Sequence, residues 1–182
     1  MKSASHDQVG EVITCAPFNP SEVIGSSWFF WRGPKDGNGI EGEEERDKVS
    51  LALTEVDFAK IDFFSCLKEN ETSINGEEKL IRLRKSGRQI YGTTVGMGLL
   101  RNYQSCQNKA DIVLDNLYQQ KGIICIDFFG DIVLAPDGRR NVLRICRRGD
   151  GSWHLDCEWL DFEWDGHYFS DATATAQQVS LS

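Results

Sequence analysis

The side chains with the most chemical potential lie near the C-terminus, in Trp153-His154-Leu155-Asp156-Cys157-Glu158-Trp159. Side chains alternate across an extended strand, so Trp153, Leu155, Cys157 and Trp159 share one face and His154, Asp156 and Glu158 the other. Two carboxylates at i and i+2 stand about 7 Å apart, inside the ~5–9.5 Å range of glycosidase acid pairs. Nothing else in the sequence marks a cleft around them, and acidic neighbours are common on surface strands. His154 and His167 have no Ser or Cys nearby in an elbow or turn motif that either could activate. Cys157 falls on the apolar face, where a thiol packs as a small hydrophobe. The run Gly92-Thr93-Thr94-Val95-Gly96-Met97-Gly98 lacks the spacing and the Gly-Lys-Ser/Thr end of a phosphate loop, so its glycines serve helix entry and close packing. No catalytic residue is expected.

These residues need a frame, and the chain ahead of them supplies one. Residues 123–129 form a β-branched strand, Gly130-Asp131 turns the chain, and residues 132–134 return. Pro136-Asp137-Gly138 and Gly149-Asp150-Gly151 are turns that flank a strand over residues 142–146. The last strand follows. Upstream, Asn75 caps a helix with Glu77 and Glu78 in its positive first turn. Leu80, Leu83 and Ile81 offer its apolar stripe, and Gly87 takes the left-handed position after it. A second helix starts after Thr93 or Thr94 and runs through Tyr103; a third covers residues 110–120, with Gly122 behind it. Alternating apolar residues from Val49 predict one or two strands across residues 49–64, after a solvated loop over residues 35–48. Residues 1–24 read as a loosely attached extension and 25–182 as one domain. Helices early and an antiparallel meander late define an α+β fold.

Composition narrows the classes. The chain has 182 residues, 40% apolar and 26% charged, which excludes a disordered or fibrous protein. No apolar run is long enough to span a membrane, and the N-terminus lacks the apolar core of a signal peptide. The expected location is cytoplasmic by default, without membrane insertion. Six cysteines without a CxxC pair, beside three histidines, give no zinc pattern, and reduced buried thiols are the expectation. From residue 149 onward there are seven acids and no Lys or Arg, just after the basic run Arg139, Arg140, Arg144, Arg147 and Arg148. An acidic surface is a poor match for a phosphate backbone, so nucleic acid is not expected as partner.

Residues 128–164 also carry a recognisable frame. Ala135-Pro136-Asp137-Gly138-Arg139-Arg140-Asn141-Val142 leads to Trp153-x-Leu-x-Cys-x-Trp159-Leu160-Asp161-x-x-Trp164. This resembles the C-terminal end of variable proteins of diversity-generating retroelements. The likeness touches residues 63–67 and the helix at 75–83, and is strongest at its end. It implies a C-type-lectin-like fold with two to three helices, an antiparallel sheet and a C-terminal strand meander. It also implies a variable region near residues 150–170, diversified by error-prone copying of an RNA template at adenines. An Asn codon altered at both adenines can yield His, Asp, Phe, Tyr, Gly or Ser, but never Glu, Lys, Gln, Trp or Met. His154, Asp156, Phe162, Asp165, His167 and Tyr168 are reachable; Trp153, Trp159 and Trp164 are not, as fixed scaffold positions require. Glu158 and Glu163 are unreachable as well, so Glu158, on the outward face, needs another template codon or is fixed.

Calcium would need about six to eight oxygens. Trp159-Leu160-Asp161 only weakly matches the Trp-Asn-Asp element of calcium-dependent lectins, and neither Glu-Pro-Asn nor Gln-Pro-Asp occurs. No metal and no cofactor is expected. The resemblance implies a binding protein whose ligand site is His154, Asp156, Glu158, Phe162, Asp165, His167 and Tyr168. Its partner would be an unidentified macromolecule, expected to be protein. An enzyme using the acidic C-terminal surface and a non-diversified interaction domain are the alternatives.

Overall fold

The computed structural model describes residues 11–167 and 169–173, with residues 64 and 169–173 described by backbone alone. In chain order the elements are β1 (Val12–Thr14), α1 (Pro20–Val23), β2 (Phe29–Phe30), α2 (Lys48–Ala52), β3 (Glu55–Asp57), β4 (Ile61–Phe64), β5 (Ser73–Asn75) and α3 (Gly76–Lys85). Then come β6 (Gln89–Ile90), α4 (Thr93–Ser105), α5 (Val113–Lys121), β7 (Cys125–Leu134), β8 (Arg140–Arg147), β9 (Trp153–Trp159), β10 (Glu163–Asp165) and β11 (Phe169–Thr173). The class is mixed α+β.

Local chemistry sets the helices. The Asn75 side chain accepts the Glu77 N–H at 3.0 Å at the start of α3, and Arg82, Arg84 and Lys85 occupy its negative end. Leu80 and Leu83 are buried, while Ile81 lies outside the stripe and is exposed. Gly122 ends α5 in the left-handed conformation, φ 68°, with its N–H on the Leu117 and Tyr118 carbonyls. In α4, a Cβ at Gly96 would come within 2.9 Å of the Phe128 ring, so the glycine lets helix and sheet close up.

The main sheet runs β4-β11-β7-β8-β9 along its path, with β7, β8 and β9 as an antiparallel meander and β11 parallel to β7. Its register sorts the side chains into two layers. Ile126↔Ile145↔Leu155 and Phe128↔Leu143↔Cys157 face α4 and α5 and pack with Val95, Leu99, Val113 and Leu117. Asp127↔Arg144↔Asp156 and Val142↔Glu158 face the other way, where α3 and Trp164 pack on Phe129, Leu134 and Val142. The sheet is therefore covered on both faces.

Several expectations change. Gly130 and Asp131 do not turn the chain; they lie inside β7, where an irregular register absorbs them between Phe128 and Val133. The Gly130 N–H bonds the Tyr91 carbonyl at 2.8 Å, an approach that a side chain would block. Residues 11–24 are no loose extension: β1 pairs with β3, and Ile13, Ala16 and Phe18 are core residues. Residues 48–52 form a helix rather than a strand, capped by Asp47, with Val49 and Leu51 exposed. Cys125 and Cys146, opposite each other on β7 and β8, form a disulfide, so the all-thiol expectation fails for that pair. Their juxtaposition depends on register, which composition does not reveal.

The second layer holds a charge pair that no sequence pattern announces. Lys79 Nζ meets Asp127 Oδ2 at 3.0 Å with both side chains sealed from solvent. Breaking such a pair leaves a buried charge uncompensated, at a cost of ~3–5 kcal/mol, whereas apolar replacement of both partners is often neutral. Lys79→Met should lower stability by about that amount, and Lys79→Met combined with Asp127→Leu should recover most of it. Urea denaturation of both variants against the parent chain is the check.

Candidate functional site

β9 forms the outer edge of the main sheet, with β8 on its inner side. Trp153 anchors one end: it is 3% exposed and its indole N–H donates to Asp115 Oδ1 of α5 at 2.9 Å. Leu155 and Cys157 follow on the same face, half-buried against that core. Burial pushes the Cys157 thiol up to about 12, so it is protonated at neutral pH and no nucleophile. Trp159, expected to be core, is 41% exposed. The alternation places it on the apolar side, but the packed layer ends before it, and the Arg139 guanidinium lies 3.5 Å over its ring instead.

His154, Asp156 and Glu158 project from the opposite face, the side that carries α3. His154 is half-buried, with Nε2 at 2.8 Å from the Ser152 hydroxyl, and Asp156 is exposed. Glu158 is engaged with Arg144 of β8 at 3.0 Å. The ion pair turns Glu158 toward β8, so Asp156 and Glu158 do not stand as two free carboxylates facing one substrate. Both acids also turn back on the strand. Asp156 Oδ1 accepts the Cys157 N–H at 2.9 Å and Glu158 Oε1 the Trp159 N–H at 3.3 Å. Those N–H groups point away from β8, so the acids occupy donors that an added strand would use.

Beyond Trp159 the chain crosses over the α3 side of the sheet. Leu160 and Trp164 are buried, and Trp164 meets Phe129 edge-on at 5.5 Å. The first N–H groups of α3 lack partners within the helix, and here Gly76 and Glu77 donate to the Phe162 and Leu160 carbonyls, each at 3.1 Å. The stretch after Trp159 contains β10, paired with β5 through Trp164↔Ile74, and then β11, paired with β4. Phe162 is 38% exposed, its ring edge-on to Trp164 at 5.7 Å. Asp165 is half-buried and accepts the His167 N–H at 2.8 Å; His167 is exposed. Tyr168 lies outside the described residues.

The six described positions are all outside the buried core. They form two groups on one side of the sheet: His154, Asp156 and Glu158 on β9, then Phe162, Asp165 and His167 around β10. Sequence reasoning missed the cations that organise this side. Arg140 is nearly buried, its guanidinium shared between Glu77 of α3 and Glu45, and Arg144 holds Glu158. Their signal was two arginines four residues apart on one face of the strand, with Val142 between them. Among the described residues no group of three or more His, Cys, Asp or Glu side chains converges to hold a metal, and no helix is long and apolar enough to cross a membrane. No family model, curated protein or solved structure matches the chain.

Trp164→Ala should cost ~3–5 kcal/mol, the range for a fully packed aromatic. Trp159→Ala should cost less than about 1.5 kcal/mol, because it loses a half-exposed ring and one cation–π contact. Thermal denaturation of the two variants separates anchor from rim, and equal losses would contradict this placement. The loop ahead of β5 is held by Arg82, whose guanidinium grips both Glu71 oxygens and bonds the Cys66 carbonyl at 2.9 Å. Arg82 lowers the Glu71 carboxyl from 4.5 to about 2. A lowered carboxyl stabilises the fold above its ordinary value and loses that contribution as pH falls from 4.5 toward 2. Glu71→Gln should remove this part of the acid sensitivity, read as a smaller fall in melting temperature across that interval.

Proposed function

We propose that the chain is a ligand-binding protein whose binding surface is the outward side of β9 and the crossover after it. The observation that carries this reading is the separation of anchors from free positions along one short stretch. Trp153, Leu160 and Trp164 are buried, while Asp156, Phe162 and His167 between and beyond them are exposed. A site built this way tolerates exchange of its contact residues without loss of the fold. Phe and His supply contact area at low entropic cost, and the aspartates favour a partner that is basic or rich in hydrogen-bond donors, most simply a protein. The strand–crossover frame supports a C-type-lectin-like domain of the kind found in variable proteins of diversity-generating retroelements. In that reading Glu158 belongs with the frame: it is tied to Arg144, and its codon cannot arise from an adenine-altered Asn codon.

Single Ser substitutions at His154, Asp156, Phe162, Asp165 or His167 should each change stability by no more than about 0.5 kcal/mol. A library randomised at these positions and Tyr168, selected against a basic protein such as a histone or lysozyme, should yield folded binders that lose binding when the six positions revert to Ser. Selected binders that survive that reversion would place the binding surface elsewhere. Diversification has its own check in the neighbouring DNA: a near-copy of the codons for residues 150–170, differing at adenines, beside a reverse-transcriptase gene. Without that copy the domain is a non-diversified interaction module.

A further inference from the structure

Cys125 begins β7 and Cys146 stands near the end of β8, directly opposite it and joined to it by a disulfide. Backbone pairing already brings the two together. Four consecutive register pairs, from Cys125↔Cys146 to Phe128↔Leu143, hold this end of the sheet, and the Arg147 N–H bonds the Ile124 carbonyl at 2.7 Å just beyond them. The disulfide thus joins neighbours that the sheet keeps in place without it, so an opened pair stays aligned to close again. The other four cysteines, Cys15, Cys66, Cys106 and Cys157, are free thiols. One closed pair among free thiols differs from the fully paired frameworks of disulfide-built domains and fits a disulfide that opens and closes.

The two cysteines differ in access. Cys125 is 3% exposed, whereas Cys146 is partly open to solvent. An attacking thiolate can therefore reach Cys146 while the fold persists. His154 of β9 stands directly opposite Cys146, with its Nε2 on the Ser152 hydroxyl at 2.8 Å. Arg144 lies two residues before Cys146 on the same face, paired with Glu158, and Asp127 lies two residues after Cys125, paired with Lys79. With those charges matched, protonation of His154 favours a thiolate at Cys146, and burial keeps Cys125 a thiol. We propose that Cys125–Cys146 is a reversible redox pair that exchanges with a dithiol, Cys146 being the sulfur attacked. In the opening direction a partner thiolate attacks Cys146 Sγ, the bond between the two Sγ atoms breaks, and Cys125 leaves and takes up a proton. The partner's second thiol, as thiolate, then attacks the partner's own sulfur in the mixed disulfide and releases Cys146, which is protonated in turn. Two electrons and two protons have then passed to the chain, and the partner is left as its disulfide. Closing is the reverse. The pair works whether or not the outward side of β9 binds a ligand.

The test equilibrates the full chain in mixtures of reduced and oxidised dithiothreitol, followed by acid quenching, alkylation and peptide mass mapping, with circular dichroism monitoring the fold. The 125–146 pair should pass between disulfide and two thiols in both directions while the spectrum stays native. Reduction only after urea has unfolded the chain, or two thiols in every mixture, would overturn the proposal. The direction of attack is read on single variants incubated with oxidised glutathione. Cys125→Ser should take glutathione on Cys146 at least about ten-fold faster than Cys146→Ser takes it on Cys125. Should either variant fail to fold, the reduced parent chain answers the question: limiting iodoacetamide should label Cys146 at least about five-fold faster than Cys125. Equal rates at the two cysteines would overturn the assignment of Cys146 as the sulfur attacked.

Discussion

The ammonium of Lys79 and the carboxylate of Asp127 meet between α3 and β7 with no solvent on either. Such a pair contributes little net stability, because both charges surrender their hydration. It does impose position: any slip of α3 along the sheet would leave one charge buried alone. Further ion pairs extend the constraint. Arg140 joins β8 to Glu77 of α3 and to Glu45, and Arg46 reaches Asp131 in β7 at 3.0 Å. Asp131 in turn accepts the N–H and hydroxyl of Thr93, where α4 begins. Together these pairs fix two helices and the loop over residues 45–47 against β7 and β8.

The placement of α3 then sets the C-terminal crossover. The helix start offers N–H groups that must find acceptors, and the carbonyls of Leu160 and Phe162 take that role. Trp164 drops into the space beside Gly76, where any side chain would collide with its ring. The chain therefore leaves β9, crosses over α3's side of the sheet and returns as β11 next to β7. The exposed positions on β9 and around β10 inherit a rigid base from the buried Trp153, Leu160 and Trp164. The same geometry leaves β9 at an edge, where Asp156 and Glu158 cover its outward N–H groups and guard it against pairing with another chain.

Much of the local structure was legible in the sequence because its causes act within a few residues. The Asn75 cap, the left-handed Gly122, the turn around Gly138 and the alternation of the last strand depend on side chains near their own backbone. Those cues located α3, α4, α5, β8 and β9 and put Trp153 inside. Short-range cues also misled. Gly130-Asp131 has turn chemistry, but tertiary contacts with Tyr91 and Thr93 satisfy both residues inside a strand. The apolar alternation from Val49 suggested a strand, yet the Asp47 cap made a helix that exposes Val49 and Leu51.

By itself, then, the sequence determined the α+β class, the ends of the longer helices and the two faces of the terminal strand. Each of these follows from backbone geometry and polarity at spacings of two to four residues. Only the tertiary structure decided that Lys79 pairs with Asp127 across 48 positions, that Cys125 meets Cys146, and that β11 inserts beside β7. It alone set Trp159 at the rim with Arg139 stacked on it, and Glu158 against Arg144. Alternation says which way a side chain points, but its burial depends on what the rest of the chain brings to meet it.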